Sequence, residues 1–359
     1  MFIPKPSRNS YCAPRDFRLV SLVPFLLKTM ERLLGSFLRD EILALKPLHP
    51  NQHSYPAGNS VERALHQFMF RVEKTLDQQK LILGVFLDIE GAFNNTSYDS
   101  MCAALTKHGA DYTIVRWIGD TLEGRLDTAT LGGLSRSVGV SRVCPHGSVF
   151  SPLLWCLVVS GVLARLNEGG AYTQGYADDI CFLAVGKFSN TVSGLVQWGL
   201  NTVEAWCDEL GLSVNPDKTE LVAFARRRKL QGSLEPRLFG TTLHRSMAVK
   251  YLGVILDSRP TWRENVDVKV RKPPNLLSAC RRAYGVAWGL RPRAAYWLYV
   301  SIIKPSVTFT SLLWWPGQTA SAKKKVSRIQ GLACLGITGA MRTTPTHAVE
   351  ALICLPHWS

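Results

Sequence analysis

Two adjacent carboxylates, Asp178 and Asp179, stand in the tetrapeptide Tyr176-Ala177-Asp178-Asp179, between Gly175 and the apolar stretch Ile180-Cys181-Phe182-Leu183-Ala184-Val185. Charges set into a sheet-like apolar segment cost several kcal/mol per ion unless something compensates them. A divalent cation is the obvious compensation, and Mg²⁺ accepts carboxylate and phosphate oxygens. An Asp-Asp pair is also a common hairpin turn. A third carboxylate, Asp88, ends the apolar run Leu81-Ile82-Leu83-Gly84-Val85-Phe86-Leu87, where it would equally serve as a helix N-cap. If that strand exit and the 176–179 tip meet at one sheet edge, the three carboxylates form a two-metal site, with ions about 3.5–4 Å apart. Such a site activates a hydroxyl and stabilises a departing pyrophosphate, which is nucleotidyl transfer. No Walker A loop is present: Gly186-Lys187 has Cys181 where the first glycine should stand. Backbone amides, metal and scattered Lys and Arg must then hold a triphosphate.

The elements that must position these groups can be read from pattern. Residues 81–88 form a continuous apolar run, expected as a central strand buried on both faces. Residues 174–185 read as the strand pair that carries the two aspartates. Residues 128–143 alternate around Gly132-Gly133, a hairpin pattern. Helical spacing runs over 26–45, stopped by Pro47 and Pro50, and from Ser60 as N-cap to about Lys80. The apolar segment 153–164 after Pro152 is too short to span a bilayer and reads as a buried helix. Residues 195–210 read as an amphipathic helix that Gly211 ends, and 214–224 and 249–256 read as further strands. Beyond Pro260 the pattern turns helical, basic and Trp-rich. The order of elements suits an α+β sheet with helices on one face.

Composition narrows the partner. The 359 residues carry a formal charge of +15. Between Asp267 and Glu350 there is no acidic residue, while Lys269, Arg271, Lys272, Arg281, Arg282, Arg291, Arg293, Lys304, Lys323, Lys324, Lys325, Arg328 and Arg342 fall there. A solvated face mixes both signs, so this segment points to a nucleic acid, with a membrane surface the weaker reading. Nine dispersed cysteines without a Cys-x-x-Cys pair fit free thiols rather than a disulfide framework, and Cys354 with His357 lacks the second pair a zinc site needs.

In this order the residues resemble the reverse transcriptase domain of non-long-terminal-repeat retrotransposons of the insect jockey or R1 type. The resemblance is carried by Ile3-Pro4-Lys5-Pro6 with Asp16-Phe17-Arg18, then Gln52, Tyr55, Gly58 and Ser60, then Phe86-Leu87-Asp88-Ile89-Glu90-Gly91-Ala92-Phe93. It continues through Gly147, Ser151-Pro152-Leu153-Leu154-Trp155, Tyr176-Ala177-Asp178-Asp179, Gly211-Leu212, Asn215-Pro216, Lys218-Thr219 and Lys250-Tyr251-Leu252-Gly253. It implies a right-hand polymerase fold: fingers over 1–80, a palm with an antiparallel sheet over 81–259 and a finger insertion near 100–145, and a basic helical thumb over 260–359. It implies an RNA-directed DNA polymerase that adds dNMP to a primer 3′-hydroxyl, with RNA template, DNA primer and dNTP as partners and two Mg²⁺ (or Mn²⁺) ions as cofactors. Asp88, Asp178 and Asp179 would be the metal-binding triad. Lys218 would assist pyrophosphate departure, Phe93 would exclude a ribose 2′-hydroxyl, and Lys5 and Arg18 would reach the triphosphate. His146, Gly147 and Tyr176 would line the substrate. Tyr251, Leu252 and Gly253 would form the primer grip, and Lys323, Lys324 and Lys325 would track the nucleic-acid backbone.

The departures from the family pattern carry expectations of their own. His146-Gly147 stands for Gln-Gly, Ser148-Val149-Phe150 for Gly-Val-Leu and Ser160-Gly161 for a frequent Asp-Asp, and Pro273-Pro274 is expected to break a thumb helix. The sequence starts inside the fingers and stops short of a Cys/His-rich knuckle, so a copy truncated at both ends is expected. Host target DNA would be met by segments outside this sequence, no membrane partner is expected, and the setting would be intracellular, nucleus or cytoplasm. Two rival readings are a catalytically decayed descendant that only binds nucleic acid, and a two-metal nuclease, which leaves Phe93 and the fingers motifs without a role.

Overall fold

The apolar run Leu81–Asp88 is the middle strand of a five-stranded sheet in the computed structural model. The structure describes residues 2–5, 10–13, 16–56, 58–123, 126–131, 134–139, 147–225, 235–282 and 291–356. Strand order is Arg245–Ser246, Glu220–Phe224, Leu81–Asp88, Asp179–Gly186, Tyr172–Tyr176. The last four pair antiparallel, and Arg245–Ser246 joins in parallel. A strand with neighbours on both edges and cover on both faces has no polar face to show, which is why its sequence is apolar without alternation.

That cover corrects one expectation: helices lie on both faces. One face presents Leu83, Val85, Leu87, Ile180 and Phe182 to the main core, which includes Trp155, Leu163 and Val196 from the helices Ser151–Glu168 and Ser189–Leu210. The other is met by helix Val61–Asp77, whose Phe68 ring lies 5.7 Å from that of Phe86 and 6.1 Å from that of Phe224. The apolar stripe of this helix (Ala64, Leu65, Phe68, Met69, Val72) has to be buried somewhere, and the second sheet face is where it goes. Ser60 is its N-cap, with Oγ accepting from the Arg63 amide at 3.1 Å. The 26–45 pattern forms helix Phe25–Phe37, continued through a wider turn at Leu38–Ile42.

Two other strands are shorter than their patterns suggest. Over 214–224, Val214 makes only a bridge to Ile89, Pro216–Lys218 forms a 3₁₀ turn, and the strand proper is Glu220–Phe224. Pro216 has no amide to donate to a ladder, which breaks the run there. Over 249–256 the chain folds back on itself: Ala248–Tyr251 pairs with Val254–Asp257 about Leu252 and Gly253, at φ 46° and 83°. The hairpin Leu126–Leu131 with Leu134–Gly139 forms as expected, and Gly211 ends helix Ser189–Leu210 in the left-handed conformation at φ 65°.

The chain divides into two compact units, Met1–Ser246 and Met247–Ser359. The second holds the 248–257 hairpin and a set of helices, chiefly Arg263–Arg282 and Ala320–Thr338. Helix Arg263–Arg282 runs unbroken through Pro273 and Pro274, against expectation. Each proline costs a helix about 3 kcal/mol, but Pro273 is buried and the helix packs along Ala320–Thr338, so tertiary burial offsets the local cost. Trp262 and Trp314 are core residues, Trp297 is exposed, and Trp288 lies outside the described residues. Among the described residues no helix is long and apolar enough to cross a membrane, and the seven cysteines with described side chains are free.

Candidate active site

Antiparallel register brings the carboxylates together. Asp88, the last residue of the central strand, is the cross-strand partner of Asp179, the first of its neighbour. Asp179 also faces Tyr176 across the hairpin, so Ala177 and Asp178 alone make the turn. Turn and carboxylate cluster are therefore one feature. Ala177 sits at φ 54°, a left-handed conformation that residues with a Cβ rarely adopt. Its carbonyl accepts the indole N–H of the buried Trp155 at 2.7 Å. Just before the turn, the Gly175 amide donates to Asn51 O (3.0 Å) and its carbonyl accepts from His53 N (2.9 Å).

Crowding has an electrostatic signature. Burial, followed by repulsion from Asp178 and Asp88, pushes the Asp179 carboxyl up to about 6. Asp88 is balanced differently: Lys218 Nζ donates to its Oδ2 at 2.8 Å. Lys218 ends the 3₁₀ turn that Asn215 caps through its Oδ1 (2.9 Å from Asp217 N), and Asn215 Nδ2 donates to Glu90 Oε1 at 2.9 Å. Glu90 and Asn215 thus lace the lysine turn onto the segment after Asp88. Sequence reading assigned neither a role, although both fall within the motifs that carried the resemblance.

The donors suit a hard divalent cation, being carboxylate oxygens only. Asp179 is raised by burial first and by its carboxylate neighbours second, and a dication would relieve the repulsion between them. The groups are neighbours but not drawn into a cage. Among the described residues no cluster of three or more His, Cys, Asp or Glu side chains stands ready to hold an ion, and Asp88 is engaged by the ammonium group.

The remaining candidates are distributed as follows. Lys5 follows strand Phe2–Pro4, which pairs with Phe17–Leu19, where Arg18 faces Ile3; the Arg18 side chain lies outside the described residues. Phe93 lies in the short helix Ala92–Asn95, its side chain likewise outside them, and so does His146. Gly147 is at φ 113°, and a Cβ there would stand 2.5 Å from Ser21 O, so only glycine fits. The substituted loop after it is well anchored: Val149 N donates to the buried Glu31 at 2.8 Å, and Phe150 is buried in the main core.

In the second unit Tyr251 is buried, and Leu252 and Gly253 form the hairpin turn, with Phe309 Cε1 3.2 Å from where a Gly253 Cβ would be. Lys325 pairs with Asp267 at 2.7 Å, Lys323 lies 5.3 Å over the Trp315 ring, and Lys324 is exposed.

Residues 3–256 match the reverse transcriptase (RNA-dependent DNA polymerase) family. The chain belongs to that family. Its α+β architecture is accordingly a right-hand polymerase fold. Among curated relatives, the putative 115 kDa protein in type-1 retrotransposable element R1DM of Drosophila melanogaster is 25% identical over 347 residues, covering 95% of this chain and 32% of the relative. The probable RNA-directed DNA polymerase from transposon BS of the same species is 26% identical, with 92% and 37% covered. The RNA-directed DNA polymerase from mobile element jockey, again of Drosophila melanogaster, is 24% identical, with 95% and 37% covered. The chain thus spans about a third of the length of these relatives, and the R1 and jockey resemblance drawn from the motifs is borne out. Among solved structures, apo telomerase from Candida tropicalis aligns at TM-score 0.49 and 11% identity, covering 91% of this chain and 51% of that one, too loose a likeness to argue from.

Proposed function

We propose that this chain carries out RNA-directed DNA synthesis, adding dNMP from dNTP to a primer 3′-hydroxyl on an RNA template. The observation that carries the reading is the meeting of Asp88, Asp178 and Asp179 at one sheet edge, with Asp179 raised to about 6 by burial and by the other two. Reverse transcriptases as a family use divalent metal ions. The three aspartates would hold two of them, Mg²⁺ or Mn²⁺, which when bound activate the primer hydroxyl and neutralise the departing pyrophosphate.

The chain's own residues account for the rest. Lys218, hydrogen-bonded to Asp88, is within reach of charge that develops beside the triad, and its ammonium can supply a proton to pyrophosphate. Phe93, five residues after Asp88, would exclude a ribose 2′-hydroxyl by the size of its ring. Lys5 and Arg18 bind triphosphate, while Gly147, His146 and Tyr176 shape the nucleotide site. In the second unit Lys323, Lys324 and Lys325, together with the 251–253 turn, bind the nucleic-acid backbone.

Primer extension on poly-rA/oligo-dT with Mg²⁺ or Mn²⁺ tests this reading. Incorporation by the wild type that is lost in Asp179→Ala supports it. Absence of incorporation by the wild type, beside salt-sensitive nucleic-acid binding, would leave a binding protein and sink the polymerase.

A further inference from the structure

We infer that Trp155 is a positioning residue for the 176–179 turn, holding Ala177 in its left-handed conformation so that Asp178 and Asp179 face Asp88; its catalytic consequence rests on the polymerase reading above. Three observations carry it. The Trp155 indole N–H donates to Ala177 O at 2.7 Å from a side chain that is almost wholly buried and so has no water to turn to. Ala177 is not a glycine, so φ 54° is a conformation the backbone would leave if nothing held it. The same helix grips the strand a second time at Leu163, whose carbonyl accepts from Thr173 Oγ1 at 3.2 Å and whose Cδ1 lies 3.1 Å from where a Gly175 Cβ would be.

The spacing of the two grips is matched. Trp155 and Leu163 are eight residues apart on helix Ser151–Glu168, about 12 Å at the helical rise. Thr173 and Ala177 are four apart on the strand and its turn, about 13 Å at the extended rise. Helix and hairpin therefore lie in register, and between the two grips Asn51 and His53 hold Gly175 through its amide and carbonyl. The last grip before the carboxylates is a single N–H, and losing it frees the turn rather than the strand.

The test uses the full chain with Trp155→Phe, which removes the donor and keeps an aromatic core residue. A second variant replaces the indole by benzothienylalanine, which removes only the N–H. Hydrogen exchange across residues 174–180 should quicken about tenfold, with strand 81–88 unchanged. Mn²⁺ dissociation, followed by electron paramagnetic resonance, should weaken about tenfold, and incorporation at fixed metal should fall alike with the dNTP KM unmoved. Adding Ala177→Gly, which removes the strain, should restore most of the loss, a rescue that a core-filling role would not show. Unchanged exchange at 174–180 in the benzothienyl variant overturns the inference. If the wild type neither binds Mn²⁺ nor extends primers, the polymerase reading falls, while the exchange arm still decides what Trp155 does.

Discussion

The aspartate edge of the first unit and the basic helices of the second are both charge-unbalanced, in opposite senses and by different means. At the sheet edge the imbalance is local and imposed by the backbone. Register places Asp88 against Asp179, a turn adds Asp178, and one lysine neutralises one member. In the second unit the imbalance is compositional, and the fold absorbs part of it. Lys325 is matched by Asp267, the acid at one end of the acid-free segment, and Glu350 at the other end is buried against Gln330 (2.7 Å). Lys269 is turned inward: its Nζ donates to Phe309 O at 2.9 Å and lies near the Phe309 and Trp314 rings. A count of positive residues therefore overstates what is free to meet a polyanion, whereas at the edge one lysine meets one of three carboxylates and Asp179 is still raised.

The largest expected effect is at the edge. Asp179→Asn should lower incorporation on the order of a thousandfold while raising the metal-free melting temperature, since it deletes the repelled charge. A variant that keeps more than a tenth of the activity would break the comparison. Next comes Lys218→Met, expected to cost about a hundredfold in rate. Leaving Asp88 unneutralised, it should also move the metal-free titration of Asp179, followed by NMR, upward from about 6, because Asp88 then repels an ionised Asp179 more strongly. A titration that stays put would show that Lys218 does not balance the edge.

Stability against pH should separate the two regions by sign. The folded carboxyl of Asp179 is raised above its ordinary 3.8, so its contribution is present below 3.8 and lost as pH climbs through about 6. Saturating Mn²⁺ should erase that slope by favouring the ionised form. Lys269 is lowered by burial from 10.5 to about 8, so its contribution is present above 10.5 and lost as pH falls through about 8. Urea titrations of the wild type, Asp179→Asn and Lys269→Met should show each slope vanish in its own variant. The smallest effect is on nucleic-acid binding. Lys324→Gln should reduce the slope of log K against log salt by about one, and Lys269→Gln should leave it unaltered. A slope that responds to Lys269 would mean that this lysine turns outward on binding.

Legibility followed how local each cause was. The central strand, the hairpin, the Ser60 cap and the Gly211 stop were readable because each rests on a handful of neighbouring residues. The break at Pro216 was present in the sequence as a missing donor but was masked by apolar residues on either side. The unbroken helix through Pro273 and Pro274 was not readable, because the packing that offsets two prolines comes from a helix some fifty residues further on.

The same division holds for the candidate site. From sequence alone came the identity of the three carboxylates, the family they belong to and the excess positive charge of the C-terminal third. These depend on residue type and order, which the chain states outright. Tertiary structure alone decided that Asp88 and Asp179 are cross-strand partners, that Lys218 rather than another basic residue balances Asp88, and that Trp155 and the 51–53 strap hold the turn. Those contacts join residues 22 to 130 positions apart. No spacing rule reaches that far, because the distance is closed only when sheet and helices pack.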